Sequence, residues 1–430
     1  MMVVKKSTSL KGVVKVDSDK SISHRSVIFC SVCEGVSEID GFLMSEDCLN
    51  TINCLRQLGV RLEVTERRVV VYGKGLLGLR KPEKALYVGN SGTSIRLLSG
   101  LLSGQNFDST LYGDESVCKR PMKRITYPLK LMGAKIESVE NEYAPLNIHA
   151  SELSSITYEM PIASAQVKSA ILLASLYCCG DSLKATQIIE PLKSRNHSEI
   201  MLNYLGGRIE VEGNRIISKG VNNLYARNIK IGGDISSAAF FIVAGILIEG
   251  SHIVIEDVCV NETRIGIIRA LKEMGGDIVL LNERIESGEK VADIEVKHSE
   301  LRGIELKGEL IPLMIDEIPI FSIACLFAKG DSEIKDAAEL KVKESDRIKT
   351  MVTELKKMNA NIEETKDGMI IGGKSSLKGC RVESYGDHRV AMSLAIAGLC
   401  SEGETIIDGD ECIKTSFPNF WKCLKTLMED

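Results

Sequence analysis

Six stretches of this chain place Lys, Arg, Ser and Asp directly before a long apolar run. They read Lys20-Ser21-Ile22-Ser23-His24-Arg25, Gly89-Asn90-Ser91-Gly92-Thr93-Ser94-Ile95-Arg96, Ala163-Ser164-Ala165-Gln166, Gly233-Asp234-Ile235-Ser236-Ser237, Ile315-Asp316-Glu317 and Gly386-Asp387-His388-Arg389. Four more precede amphipathic runs: Cys118-Lys119-Arg120-Pro121, Lys193-Ser194-Arg195, Lys343-Glu344-Ser345-Asp346-Arg347 and Ile413-Lys414-Thr415. A helix start carries free backbone N–H groups and partial positive charge, so it is a natural place for an anion. The dipole contributes only about 0.3–1 kcal/mol per exposed charge. Each charge-assisted hydrogen bond from Lys or Arg adds about 1.5–3 kcal/mol. Ser, Thr and Asp at such points often do no more than cap the helix, and for Ser236, Ser237 and Thr93 capping and ligand contact stay equally open. Lys and Arg are different, because a cation there opposes the dipole and calls for an anion. Lys20, Arg25, Arg96, Arg120, Arg195, Arg347, Arg389 and Lys414, joined by the carboxylates Asp316 and Glu344, suit a pair of ligands carrying several negative charges.

The elements that position these residues recur. The six apolar runs end in Gly35, Gly104, Gly180, Gly250, Gly330 and Gly403, spaced 69 to 80 residues apart. Between them lie amphipathic runs closed by Gly59, Gly133, Gly206, Gly275 and Asn359, and a last run from Phe420 to Met428. Glycine or asparagine there suits a helix C-cap, which adopts the left-handed conformation. Short alternating stretches follow, such as Val60-Arg61-Leu62-Glu63-Val64, and read as half-buried strands. The spacing therefore predicts six α/β units, each with one buried and one amphipathic helix, divided three and three near Tyr225–Asn228. In a repeat architecture equivalent helix starts point one way, so they would converge in a cleft between two facing domains.

Composition narrows the function class. With 44% hydrophobic and 26% charged residues the chain is ordinary globular protein. A net charge of −5 argues against broad nucleic-acid or anionic-membrane binding. The Met1-Met2-Val3-Val4-Lys5-Lys6 start has no apolar stretch behind it, and thirteen cysteines scattered through apolar runs suit reduced thiols, so a cytoplasmic protein is expected. Two motifs invite other readings. Gly73-Lys74-Gly75-Leu76-Leu77-Gly78 matches the dinucleotide fingerprint, but Pro82 would interrupt the helix that must receive a pyrophosphate. Cys30-Ser31-Val32-Cys33 has zinc or redox spacing without a second ligand pair, and reads as core thiols.

Taken together in their order, the Lys20–Arg25, Gly89–Arg96, Lys119-Arg120-Pro121-Met122, Ser164–Ala170, Lys343–Arg347 and Asp387-His388-Arg389 motifs resemble the EPSP synthase family over nearly the whole chain. The resemblance implies an α/β fold of two similar domains, each of three βαβαββ repeats in an inside-out, barrel-like arrangement, hinged around an interdomain cleft. It implies a domain of residues 18–227, mainly on the shikimate 3-phosphate side. A second domain of residues 1–17 plus 228–430 would carry the phosphoenolpyruvate clamp and the acid–base residues, with the strand around Gly12–Val16 in it. The implied shikimate 3-phosphate contacts are Lys20, Ser21, Arg25, Ser164, Gln166, Ser194, Asp316 and Lys343. The implied phosphoenolpyruvate contacts are Lys20, Gly92, Arg120, Gln166, Arg347, Arg389 and Lys414. Asp316 and Glu344 match the acid–base pair, Asp316 as the expected base and either Glu344 or Lys20 as the acid that protonates C3 of phosphoenolpyruvate.

The implied reaction is transfer of enolpyruvyl from phosphoenolpyruvate to the 5-hydroxyl of shikimate 3-phosphate by addition and elimination, in aromatic amino-acid biosynthesis. It needs no metal or organic cofactor and no macromolecular partner, and the chain is expected to act as a monomer. With Gly92 beside phosphoenolpyruvate, inhibition by glyphosate is expected. Ala165 stands where one branch has a second serine, so one phosphate hydroxyl contact is expected to be missing, and His24 stands where asparagine is common, with no role implied for it. The sister enzyme that uses UDP-N-acetylglucosamine is the nearest alternative, but its loop cysteine is poorly matched by Cys118, only two residues before Arg120. A noncatalytic repeat scaffold would need no Asp316 and Glu344 among clustered cations, and would show an exposed apolar patch.

Overall fold

The structure, a computed structural model, describes residues 1–178 and 185–428. The chain divides into two compact units. The first comprises Ser18–Ile231 with Glu286–Glu289, and the second Met1–Asp17, Gly232–Ile285 and Lys290–Asp430.

The first unit holds helices α1 (Lys20–Ser31), α2 (Glu46–Gln57), α3 (Gly92–Ser103), α4 (Glu115–Cys118), α5 (Lys123–Leu131), α6 (Ala165–Ser175) and α7 (His197–Tyr204). Helices α1, α3 and α6 are the apolar runs, buried along nearly their full lengths. Helices α2 and α5 bury one face, which sets them outside. Three four-stranded sheets complete the repeats. In the second of them Leu86–Tyr87 runs parallel to Ser109–Tyr112, followed by an antiparallel hairpin of Lys135–Val139 and Tyr143–His149. The third repeats that order with Thr157–Glu159, Thr186–Ile189, Arg208–Glu212 and Arg215–Lys219. In the first, the parallel edge strand is Ile229–Lys230 from the far end of the unit, beside Val36–Asp40. The predicted strand–helix–strand–helix–hairpin order is therefore present, with the last segment of the unit completing its first repeat.

The second unit holds α8 (Ile235–Leu247), α9 (Gly266–Glu273), α10 (Leu310–Met314), α11 (Ile318–Phe327), α12 (Arg347–Lys357), α13 (His388–Leu399) and α14 (Phe420–Met428). Helix α8 is buried around its whole circumference from Ile235 to Ile246. Its Phe240 and Phe241 pack edge-on or tilted against Phe417 and Phe420, with ring centroids 5.9–6.0 Å apart. The N-terminal residues join here. Lys11–Val14 runs parallel to His252–Ile255, and Met2–Lys5 pairs antiparallel with Glu404–Ile407. No helix among the described residues is long and apolar enough to cross a membrane.

The glycines behave in two ways. Gly59, Gly133, Gly206, Gly275 and Asn359 have φ between 68° and 103° and directly follow α2, α5, α7, α9 and α12 as left-handed caps. The apolar series differs from expectation. Gly35, Gly250, Gly330 and Gly403 also have positive φ, but they lie in the turns beyond the helix ends. Gly104 follows α3 with φ −92°, and a Cβ there would sit 2.1 Å from the Tyr177 ring. Close approach, not left-handed conformation, is what requires glycine at that position. Gly180 lies outside the described residues.

Candidate active site

In the first unit the polar residues gather at the starts of α1, α3 and α6. Asp19 caps α1, its carboxylate accepting from the Ile22 N–H at 2.8 Å. Lys20 opens the first turn half-buried, and its Nζ lies 2.5 Å from the buried Asp47 of α2. One helical turn on, Arg25 is only 2% exposed. Its guanidinium donates to Ser198 Oγ at 2.8 Å, Ser169 Oγ at 2.9 Å and the Ser21 carbonyl at 3.0 Å. Burial lowers its pKa to about 10, aided by Arg195 and only partly offset by Asp19 and Glu199. Arg25 is therefore a cation bonded to neutral groups.

Gly92 opens α3, and a Cβ there would lie 3.2 Å from guanidinium nitrogens of both Arg96 and Arg120. Arg120 is steered by Asn90, whose Oδ1 it meets at 2.7 Å, and by Ser116 Oγ at 3.0 Å. Ser164 caps α6. Gln166 donates to Thr93 Oγ1 at 3.0 Å and accepts from Arg96, which ties α6 to α3. Ser194 is buried, with its hydroxyl donating to Glu190.

In the second unit the start of α12 is the organising point. Arg347 is 1% exposed. Its guanidinium contacts Asp316 at 3.2 Å, Glu344 at 2.5 Å and Asp387 at 2.8 Å. Burial alone would lower its pKa, but the charges of Asp387, Glu344 and Asp316 outweigh that and raise it. Burial would conversely raise the Asp387 carboxyl, yet Arg347 holds it below its ordinary value of 3.8. Asp387 also caps α13 through the Arg389 N–H at 2.9 Å and accepts from Ser345 at 3.0 Å. Arg389 donates to the Asp316 carbonyl at 3.1 Å, and its second nitrogen lies 3.8 Å from the Asp316 carboxylate. Lys343 Nζ is likewise 3.8 Å from Asp316. Lys414, in the short 3-10 helix Asp410–Thr415, is exposed and pairs with no carboxylate among the described residues. Asp316, Lys343, Glu344, Arg347 and Arg389 thus form one contiguous group, with the two carboxylates held on one guanidinium.

The family model described as EPSP synthase (3-phosphoshikimate 1-carboxyvinyltransferase) matches residues 4–424. The chain belongs to the EPSP synthase family. It is 55% identical over 424 residues to the 3-phosphoshikimate 1-carboxyvinyltransferase of Thermoanaerobacter sp. (strain X514), with 99% of each chain covered. The enzyme of the same name from Brevibacillus brevis is 49% identical, with 98% of each covered. A solved structure of EPSP synthase from Acinetobacter baumannii superposes with a TM-score of 0.88 at 44% identity, covering 99% of this chain and 97% of the other.

Several residues of this EPSP synthase family chain went unread in the sequence. Lys168, 1% exposed in α6, lies 2.7 Å from Glu199 and 3.0 Å from Glu190, and its Nζ donates to the Ser194 carbonyl at 3.3 Å. A lysine inside an apolar run two residues after Gln166 was the available signal. Asp387 stood in the motif without a role, and Arg264 and Asp47 stood in none. His24 is fully buried, bonded to Thr51 at 2.8 Å, and desolvation holds its pKa well below 6.5, so it is neutral. Gly73–Gly78 forms a loop after the strand Arg68–Tyr72, and the next helix is α3. No group of three or more His, Cys, Asp or Glu is placed to hold a metal among the described residues.

Proposed function

We propose that this chain transfers the enolpyruvyl group of phosphoenolpyruvate to the 5-hydroxyl of shikimate 3-phosphate, releasing phosphate. In the proposed reaction Asp316 accepts the proton of the 5-hydroxyl as its oxygen attacks C2 of phosphoenolpyruvate. C3 gains a proton from Glu344 or Lys20, giving a tetrahedral intermediate. The C2–O bond to phosphate then breaks, C3 returns a proton, and the enol ether forms. A positioned acid or base typically contributes about 10²–10⁴-fold. The observation that carries this assignment is the single guanidinium of Arg347, which holds both Asp316 and Glu344 beside Lys343 and Arg389.

Substrate binding divides by charge. Lys20, Ser21, Arg25, Ser164, Gln166, Asp316 and Lys343 take shikimate 3-phosphate, and Ser194 joins them when its hydroxyl turns from Glu190 to the phosphate. Arg120, Arg389 and Lys414 clamp phosphoenolpyruvate, with Lys20 and Gln166 adding contacts and Gly92 leaving room beside Arg120. Arg347 completes that clamp while holding the acid–base pair. Fixed cations stabilise the departing phosphate without reorganising during the reaction. Residues 18–227 supply the shikimate 3-phosphate side, and residues 1–17 with 228–430 the clamp and the acid–base pair. The chain is proposed to work in the cytoplasm as a monomer.

Phosphate release from phosphoenolpyruvate tests the reading, with shikimate 3-phosphate or UDP-N-acetylglucosamine as acceptor. Release only with shikimate 3-phosphate is expected. Release only with the nucleotide sugar would replace the reading with the sister reaction.

A further inference from the structure

Behind Arg389 lies a second layer of charge that the reaction as described does not use. Glu317 follows Asp316 in the chain and is wholly buried. It occupies the N-cap position of α11, yet its side chain makes no capping hydrogen bond. A carboxylate at a helix start would ordinarily satisfy free backbone N–H groups. This one turns elsewhere. Its Oε1 accepts from Ser236 Oγ and lies 3.8 Å from Arg389 Nη1 and 3.9 Å from Arg264 Nη2. Its Oε2 is buried with no hydrogen-bond partner among the described residues.

Arg264 is held in turn. Its Nη2 donates to Ser236 Oγ at 2.7 Å and to the α8 capping residue Asp234 at 3.1 Å. With a side chain 2% exposed, it is closed off from solvent, whereas those of Arg389 and Asp316 are each 14% exposed. The charges therefore alternate from inside outward: Asp234, Arg264, Glu317, Arg389, Asp316. The Arg389 nitrogen that faces Glu317 is the one that donates to the Asp316 carbonyl. A buried carboxylate that is neither capping its helix nor closed into a short ion pair costs stability unless it serves the groups around it.

We propose that Glu317, fixed from behind by Ser236 and Arg264, is a positioning residue that sets the Arg389 guanidinium for phosphoenolpyruvate. It touches neither substrate. Its negative charge draws Arg389 back against the Asp316 carbonyl, which leaves the outer edge of the guanidinium aimed away from the interior. Ser236, equally open between capping and ligand contact in the sequence, thereby acquires a role that is neither. The proposal rests on the reading of Arg389 as part of the phosphoenolpyruvate clamp.

Steady-state kinetics with both substrates varied separately test it, on Glu317→Gln, Ser236→Ala and Arg389→Gln. Glutamine keeps the shape of Glu317 and removes its charge, so KM for phosphoenolpyruvate should rise by about ten-fold, as expected for loss of one charge-assisted contact. KM for shikimate 3-phosphate should stay within about two-fold. Ser236→Ala leaves every charge in place and should shift the phosphoenolpyruvate KM in the same direction by roughly two- to five-fold, the size of one neutral hydrogen bond. A purely structural role would lower the thermal midpoint and the active fraction while leaving the ratio of the two KM values unchanged, and that result overturns the proposal. Should Arg389→Gln raise the phosphoenolpyruvate KM while both other variants leave it unmoved, the clamp stands and the positioning role falls. Should Arg389→Gln itself leave that KM unmoved, the clamp reading fails and this inference with it.

Discussion

Arg25 and Arg347 invite comparison, because both are arginines on helices, Arg25 in the second turn of α1 and Arg347 at the start of α12, and both are almost entirely buried, at 2% and 1% exposed. Arg25 donates to two hydroxyls and a carbonyl, and burial depresses its pKa despite the nearby charges of Asp19 and Glu199. Arg347 is surrounded by Asp316, Glu344 and Asp387, and its pKa is raised. A cation whose hydrogen-bond partners are all neutral is less fully compensated than one bonded to carboxylates, which in the proposed reaction suits it to an arriving anion. A cation already bonded to three carboxylates holds them in place, and in the proposed reaction Arg347 does so while completing the phosphoenolpyruvate clamp. The two units therefore set the same side chain in opposite surroundings: Arg25 donates to neutral oxygens, and Arg347 organises three carboxylates.

Four substitutions can break or sharpen that contrast. Asp316→Ala should produce the largest change, lowering kcat by about 10²–10⁴-fold while both KM values move little, since a general base is lost; near-normal turnover in a phosphate-release assay would refute the role. Asp387→Asn leaves Arg347 buried with one partner fewer and should cost about 3–5 kcal/mol in denaturant unfolding. The pH dependence has a definite sign. The Asp387 carboxyl lies below its ordinary value of 3.8 in the folded protein. Its contribution is thus fully present above 3.8 and is lost as pH falls through the lower folded value. The Asn variant should accordingly show less acid-induced loss of stability than the parent.

Arg25→Gln should raise the KM for shikimate 3-phosphate by roughly 10–100-fold and spare that for phosphoenolpyruvate, the size of one charge-assisted contact. An equal rise in both would erase the division of labour. Gly92→Ala is expected to have the smallest effect. The new methyl at 3.2 Å from Arg96 and Arg120 asks two flexible guanidinium groups to yield by a few tenths of an ångström. Phosphoenolpyruvate KM should rise roughly two- to ten-fold, in line with mild overpacking. Inhibition by glyphosate should weaken in the same assay, and unchanged inhibition would mean that Gly92 does not line that subsite.

Local signals in the sequence carried much of this. The pairing of an apolar with an amphipathic helix, and the caps at Gly59, Gly133, Gly206, Gly275 and Asn359, follow from periodicity and left-handed backbone geometry. Arg347 and Arg389 stood out because cations oppose a helix N-terminus, Asp316 and Glu344 stood out as carboxylates among such cations, and Lys343 followed from the family resemblance. What periodicity could not reach were partners set by packing between helices. Lys168 sits in an apolar helix, and only the approach of α7 brings Glu199 to it. Arg264 lies 28 residues from Ser236 and 53 from Glu317 in the chain, with no motif to join them. Gly104 carried the same misreading in reverse: a glycine after a helix suggests a cap, and the Tyr177 ring that requires it belongs to another repeat.

The most direct test of the contrast is to measure shikimate 3-phosphate binding by titration calorimetry to the parent, Arg25→Gln and Asp316→Asn proteins, alongside their turnover. The account predicts that Arg25→Gln weakens binding by at least about ten-fold, whereas Asp316→Asn binds within about three-fold of the parent yet loses nearly all phosphate release. Parent-like binding by Arg25→Gln, or substantial turnover by Asp316→Asn, would contradict it.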